Sequence, residues 1–391
     1  MADAAHRPWP LTTALRAVLT TALRAVLTTA LRAGAVAGSA LLIVACGSTA
    51  RPAQPAGAVA MSASSATITE TGSSLLAPQA QAWATAYEHA NPGVAVKVNS
   101  TSSGVGIAAA KAGSADIGAS DAYLSSGDVV QSPTLLNIAL AVSAQTVIYN
   151  LPSLSPPGRH VSLDGTVLAL IYTGKITMWD DPKIAALNKG LTLPPVPIVP
   201  LERNGSSGDT FLFTSYLSTQ DSGWNNSLGY GTSVVWPHVP GARLEANSTA
   251  MLDDCEAIRG CIGYNGISFL SKAVAGNLGY AALENSVGDP ELPTDAAAIQ
   301  AAVGSFVSIT PPNETISMIN GPAPNGYPIV NYEYAVVKSA QPDPAKASAL
   351  RAFLRWIITT GNGGSNLSGF GFQPLSGSLV SLGEQQIAEI H

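Results

Sequence analysis

From residue 66 onward, short apolar runs alternate with stretches of helical periodicity, the pattern of an α/β fold. Residues 66–70 alternate like a short strand and lead into Gly72-Ser73-Ser74-Leu75-Leu76. Over Ala77–Ala90 the spacing predicts a helix, with Trp83 and Tyr87 at i, i+4, stopped by Asn91-Pro92-Gly93. A second strand over 94–98 delivers the chain to Ser100-Thr101-Ser102-Ser103-Gly104-Val105-Gly106 and a small-residue helix through Ala112. Residues 116–121 read as a strand ending in a carboxylate. Leu135–Tyr149 is almost continuously apolar and rich in β-branched residues, which predicts a buried strand crossing into a second lobe. Residues 327–337 predict the return crossing, followed by a helix over 344–359 with Leu350, Phe353, Leu354 and Ile357 on one face. Two crossings imply a two-lobed clamshell, with 66–141 and 328–391 in lobe I and 142–327 in lobe II. A cleft between lobes is a natural ligand site, closing by hinge motion at the two crossings.

Loops rich in Ser and Gly, or ending in Asp, thus follow the carboxyl ends of short strands, the edge where open α/β sheets bind ligands. A further stretch, residues 202–214, reads Glu-Arg-Asn-Gly-Ser-Ser-Gly-Asp-Thr-Phe-Leu-Phe-Thr. Arg203 supplies a planar donor fork, and the amides and hydroxyls of residues 207–210 open a helix whose first N–H groups lack partners. The combination suits a tetrahedral oxyanion. Read alone, the same residues serve equally as a Gly/Ser surface loop before a capped helix.

Charge narrows the field. The formal net charge is −6, and residues 1–45, with four arginines against Asp3, are its basic part, so the remainder carries −9. So acidic a chain is a poor partner for nucleic acid, whose phosphate backbone demands a surplus of Lys and Arg. Any bound anion must be held by local geometry. The Gly174-Lys175 pair is no phosphate-binding P-loop, because Ala169 and Ile176 occupy positions that need Gly and Ser or Thr.

At the amino end an eight-residue unit, Thr-Thr-Ala-Leu-Arg-Ala-Val-Leu, occurs at 12–19 and 20–27 and is truncated at 28–33; its period fits no coiled coil. Residues 34–45 form a short apolar segment behind arginines, suited to a cleaved signal and short for a bilayer span. Ile43-Val44-Ala45-Cys46 resembles the bacterial lipobox, which implies a signal peptide over 1–45 and lipidation at Cys46. Residues 46–65 read as a flexible tether. The other two cysteines, Cys255 and Cys261, are spaced for a small disulfide loop, whereas a metal site would need further ligands nearby. The five histidines are scattered, no Gly-x-Ser-x-Gly elbow or Ser-His pairing is present, and neither a metal nor a cofactor is expected. The expectation is a binding protein, with a phosphoester hydrolase as the weaker reading.

Several motifs together resemble one family. Glu70-Thr71-Gly72-Ser73-Ser74-Leu75-Leu76, Ser103-Gly104-Val105-Gly106-Ile107, residues 116–125, Trp179-Asp180-Asp181-Pro182, residues 207–214 and Gly321-Pro322-Ala323-Pro324 are similar to the PstS phosphate-binding lipoproteins of bacterial Pst ABC importers, the mycobacterial type in particular. The resemblance spans residues 70–390. It implies the type II periplasmic-binding-protein clamshell, inorganic phosphate as ligand, permease subunits of an importer as partners, and a lipid anchor on the extracytoplasmic face of the cell membrane. By motif, phosphate ligands fall on Ser74 with the amide of Leu75, and on Ser103, Asp121, Arg203, Ser207, Gly208 and Asp209. The P–OH of monohydrogen phosphate needs an acceptor, which is expected to be Asp121, and Asp209, where many members of the family have Thr, is expected to accept a second proton and so admit dihydrogen phosphate. One position departs: the family's acidic residue two after the arginine is Gly205 here. That leaves Glu202 or Asp209 to hold Arg203, and keeps open a paralogue for another oxyanion, an adhesin or a phosphate sensor.

Overall fold

The computed structural model describes residues 66–154, 159–367 and 369–391. The repeated leader, the lipobox with Cys46 and the tether lie outside the described residues. Strand β1 (Ala66–Gly72), helix α1 (Ala77–Ala90), β2 (Val94–Ser100), α2 (Ser103–Ala112) and β3 (Ile117–Ser120) build a parallel β2-β1-β3 layer. Strand β3 is one residue shorter at each end than the expected 116–121; the Asp116 N–H still donates to the Thr69 carbonyl at 3.0 Å, and its carboxylate takes hydrogen bonds from Thr69 N, at 2.7 Å, and Thr69 Oγ1, at 2.9 Å. Gly113, in the left-handed region at φ +71°, ends α2.

The long strand β4 (Leu135–Tyr149) is buried along all but its first residue, so both its faces need apolar cover, and its sequence reads as one apolar run for that reason. A second layer follows from β5 (Val199–Arg203), α3 (Gly208–Gln220), β6 (Arg243–Glu245), α4 (Ser248–Ala257) and β7 (Cys261–Gly266). Strand β8 (Val330–Lys338) returns the chain, and α5 (Pro344–Trp356) covers β1. The return strand starts three residues later than predicted, past Pro328, whose missing N–H cannot join a ladder. Helix α5 also departs from expectation. Its α ladder ends at Trp356 and a wider π turn runs over Ile357–Gly361, where the Gly361 carbonyl accepts from Trp83 Nε1 at 2.9 Å.

The sheet order is β2-β1-β3-β8-β4-β7-β5-β6, with the two-residue strand Gly279–Tyr280 pairing off β4. Strand β4 pairs antiparallel with β8 as far as Ala144, and from Gln145 to Tyr149 with β7. This change of partner within one strand joins two parallel layers, β2-β1-β3 and β7-β5-β6, into a two-lobed clamshell. In each layer the loops after the parallel strands lie at one edge, and those edges meet. A disulfide between Cys255 and Cys261, Cα atoms 5.4 Å apart, ties the end of α4 to the start of β7.

Candidate functional site

Arg203 is the last residue of β5 and only 3% exposed. Its backbone N–H donates to Tyr264 Oη at 3.1 Å and its carbonyl accepts from Trp236 Nε1 at 3.2 Å, so the side chain leaves the strand from a fixed base. Its Nη1 reaches Asp209 Oδ2 at 2.9 Å and Ser248 Oγ at 3.2 Å. Its Nε, fully buried, meets no acceptor among the described residues. Helix α3 starts beside it. Ser207 is the N-cap with extended backbone, but its side chain makes no capping bond, so the first amides of α3 keep their donors. The N–H of Ser207 itself goes to the Thr232 carbonyl at 2.6 Å.

Gly208 explains why this turn needs a glycine. A β-carbon there would collide with Asp121 Oδ2 and Ser103 Oγ, so the α3 N-terminus meets the opposite lobe through bare backbone. Asp121, just past β3 and 2% exposed, receives a hydrogen bond from Ser73 Oγ, and its N–H donates to Ser103 Oγ at 3.1 Å. Burial first, then the charge of Asp209, pushes its carboxyl up to about 6, against hydrogen bonds from Glu333, Ser73 and Ser103.

The chain thus brings Ser103, Asp121, Arg203, Ser207, Gly208 and Asp209 to one buried locus. Ser74 joins them through a residue that sequence reasoning missed. Ser248, first in α4 and fully buried, lies 2.8 Å from Ser74 Oγ, 2.8 Å from Asp209 Oδ2 and 3.2 Å from Arg203 Nη1. A hydroxyl has one proton and two lone pairs, so Ser248 donates to Asp209 and accepts from Arg203 and Ser74. Ser74 and Ser248 also edge an open pocket of about 580 Å³ with Thr101, Asn247 and Phe269. Leu75 is a packing residue as far as its side chain goes, fully buried against Gly266, while its carbonyl accepts from Ser268 Oγ at 2.7 Å.

Gly205 has φ +93° with open space around it, a turn position that costs a side chain dearly. The carboxylate that holds Arg203 comes instead from Asp209. Glu202 does not take this part: it is buried, pushed up to about 7 by burial, and its Oε1 has no partner among the described residues. Burial pushes Asp209 up as well, opposed by Arg203 and by hydrogen bonds from Ser248 and Gln145. Gln145, at the point where β4 changes partner, donates to the Asp209 carbonyl at 2.7 Å. Ser73 lies in a loop that the sequence marks as part of the ligand edge, whereas Gln145, Ser248, Asn331 and Glu333 carry no such mark, because single polar positions inside strands and at helix starts have no spacing signal.

A model of the PBP superfamily domain matches residues 57–360. The phosphate-binding protein PstS of Xylella fastidiosa strain 9a5c is 30% identical over 314 residues, covering 80% of this chain and 82% of that protein. That of Methanocaldococcus jannaschii is 32% identical over 319 residues, covering 75% and 79%. The chain belongs to the PstS family. A mycobacterial member, PstS3 of Mycobacterium bovis, is 32% identical over 326 residues, with 81% of this chain and 84% of that one covered. Among solved folds, a high-affinity periplasmic phosphate-binding protein, PfluDING, superposes with a TM-score of 0.63 at 20% identity, covering 80% of this chain and 92% of that one. A phosphate-binding protein from Stenotrophomonas maltophilia gives 0.60 at 19%, covering 82% and 93%. These two likenesses concern the fold. No helix among the described residues is long and apolar enough to cross a membrane, and no group of three or more His, Cys, Asp or Glu among them could hold a metal ion.

Proposed function

We propose that the protein binds inorganic phosphate between its lobes and delivers it to the permease of an ABC importer. The observation that carries this reading is the buried convergence of a guanidinium with an unpartnered Nε, the uncapped start of α3 and a carboxylate from the other lobe. Donors suit the oxygens of monohydrogen phosphate, and an acceptor suits its P–OH. Ser74, its hydroxyl proton turned from Ser248 to the ligand, with the Leu75 amide, and Ser103, Arg203, Ser207 and Gly208 are the donors, and Asp121 is the acceptor. Asp209 holds the guanidinium and so takes the place of the acidic residue missing at Gly205, which supports phosphate as the ligand. Fully ionised sulfate would set its lone pairs against Asp121, and a repelled buried charge costs about 3 kcal/mol or more. The reading assigns residues 66–141 and 328–391 to one lobe and 142–327 to the other, hinged at β4 and β8. It assigns Cys46 a lipid anchor on the extracytoplasmic face and the protein a transport role without catalysis.

Calorimetric titration of the purified protein with phosphate and with sulfate, at a mildly acidic and a neutral pH, alongside Asp121→Asn, tests it. Tight phosphate binding, no sulfate signal and a weakened variant are expected. A folded, ligand-free sample that takes up no phosphate would sink the assignment.

A further inference from the structure

A second carboxyl stands against Asp121. In the antiparallel ladder between β3 and β8, Tyr334 lies opposite Ser120, so Glu333 falls level with Asp121. The β8–β4 ladder shifts register between Glu333 and Tyr334, a bulge of the kind that re-aims a side chain beside a site. Glu333 is fully buried. Its Oε1 accepts from Ser143 Oγ at 2.6 Å and from Asn331 Nδ2 at 2.9 Å, while Oε2 meets no conventional donor among the described residues. Asn331 Nδ2 also donates to the Asp121 backbone carbonyl at 3.2 Å, so one amide side chain touches both residues and holds the two carboxyls side by side.

Two ionised carboxylates are acceptors only, so a hydrogen bond between them requires a proton on one. Among the described residues neither Glu333 nor Asp121 is in an ion pair. The nearby groups with charge or a titrating proton are Asp121 from the β3 edge and Tyr334 beside Glu333 on β8, with Asp209 and its partner Arg203 beyond Asp121. The one cation among these groups, Arg203, is paired with Asp209 and not with either member of the pair. Asp121 has hydroxyl donors of its own in Ser73 and Ser103, which favour its ionised form. Glu333 Oε1 already takes two donors, which leaves Oε2, without a donor among the described residues, as the oxygen placed to carry the proton, and burial with the charge of Asp121 raises the Glu333 carboxyl in the same sense.

We propose that Glu333 stays protonated and donates its hydrogen bond to Asp121, so that the acceptor facing the ligand is one half of a carboxylic acid–carboxylate pair. Glu333 is then a positioning residue that acts through Asp121. It holds the aspartate's charge where a lone buried carboxylate next to Asp209 would tend to neutralise, and it sets an alkaline limit to binding. Once Glu333 ionises, two like charges adjoin the site and an anionic ligand is repelled. The functional consequence rests on the phosphate reading, whereas the protonated pair does not.

Glu333→Gln keeps a neutral group of the same shape and a donor toward Asp121, but cannot titrate. Infrared difference spectra of ligand-free wild type minus Glu333→Gln, at neutral pH, should contain the C=O stretch of one protonated buried carboxyl. With inorganic phosphate as probe, affinity is followed against pH, each protein being referred to its own value at neutral pH. Wild type should then lose about tenfold in affinity per pH unit above the titration of Glu333, beyond any change in the phosphate itself, and the variant should not. Ser143→Ala, which removes a donor to Glu333 without touching the ligand groups, should shift the same infrared band. Absence of the band, or an identical alkaline fall in Glu333→Gln, overturns the proposal. A band lost in the variant of a protein that takes up no phosphate upholds the pair and removes only the ligand assignment, so the two readings fail separately.

Discussion

Asp209 and Asp121 are buried to the same degree, 1% and 2% exposed, yet their surroundings make them different instruments. Asp209 meets a guanidinium, a serine hydroxyl and an amide side chain, each a donor provided by its own lobe or by the crossing strand β4. Asp121 meets serine hydroxyls and another carboxyl, with no cation. The first is locked as a counter-ion that aims Arg203. The second keeps capacity for a proton donor arriving from outside. One residue type thus acts as a structural charge or as a ligand acceptor according to what desolvates and pairs it.

The comparison breaks most severely at the cation. Arg203→Met should abolish phosphate binding and strand Asp209 as an uncompensated buried charge, lowering stability by about 3–5 kcal/mol. Adding Asp209→Asn should restore most of the stability, read from urea midpoints, and none of the binding. If the single variant proves as stable as wild type, Asp209 is not the locked counter-ion described here.

Gly208→Ala attacks the contact between the halves. Its methyl would meet Asp121 Oδ2 and Ser103 Oγ, and overpacking of this kind costs about 1–3 kcal/mol. A loss of roughly tenfold to a hundredfold in phosphate affinity is expected, with little change in unfolding midpoint because the clash occurs only where the lobes meet. Normal affinity in this variant would show that the two halves do not close as tightly as described.

Ser248→Ala sharpens the comparison from the Asp209 side. It removes hydrogen bonds to Ser74, Arg203 and Asp209 at a net cost of about 1 kcal/mol, or about fivefold to tenfold in affinity. Discrimination against sulfate should survive, since Asp121 is untouched. A variant that began to bind sulfate would assign selectivity to the wrong carboxylate.

A third buried carboxyl, outside the site, serves as a control. Glu314 accepts from Ala139 N at 2.9 Å and Gln386 Nε2 at 2.7 Å, and burial pushes it up to about 8. Its folded pKa lies above the ordinary 4.5, so its contribution to stability is complete below that value and is lost as pH rises through about 8. Glu70 and Glu202, each near 7, act with the same sign. The thermal midpoint should therefore fall as pH is raised across that window. Glu314→Gln should flatten part of the slope while leaving phosphate affinity at neutral pH unchanged. An unaltered slope would mean that Glu314 is ionised throughout.

Much of this was legible along the chain. The β4 crossing and helix α1 have the bounds that periodicity predicts, because a strand covered on both faces and a helix covered on one each impose a local apolar rhythm. The Ser- and Gly-rich loops were legible as well, since a glycine such as Gly208 and an extended N-cap such as Ser207 leave a mark in composition. Ser248, Asn331 and Glu333 left none. Glu333 stands inside Tyr332-Glu333-Tyr334, where alternation alone gives a polar face and says nothing of a carboxyl buried against another carboxyl.

The sequence by itself determined the α/β class, the two crossings and the set of loops able to hold an anion, since these follow from contacts between near neighbours in the chain. Only the tertiary structure decided that Asp209, and not Glu202, holds Arg203, that Ser248 joins Ser74 to that pair, and that Asp121 shares its surroundings with Glu333. Charge pairing and protonation depend on distance through space and on exclusion of water, and neither is written in the order of residues.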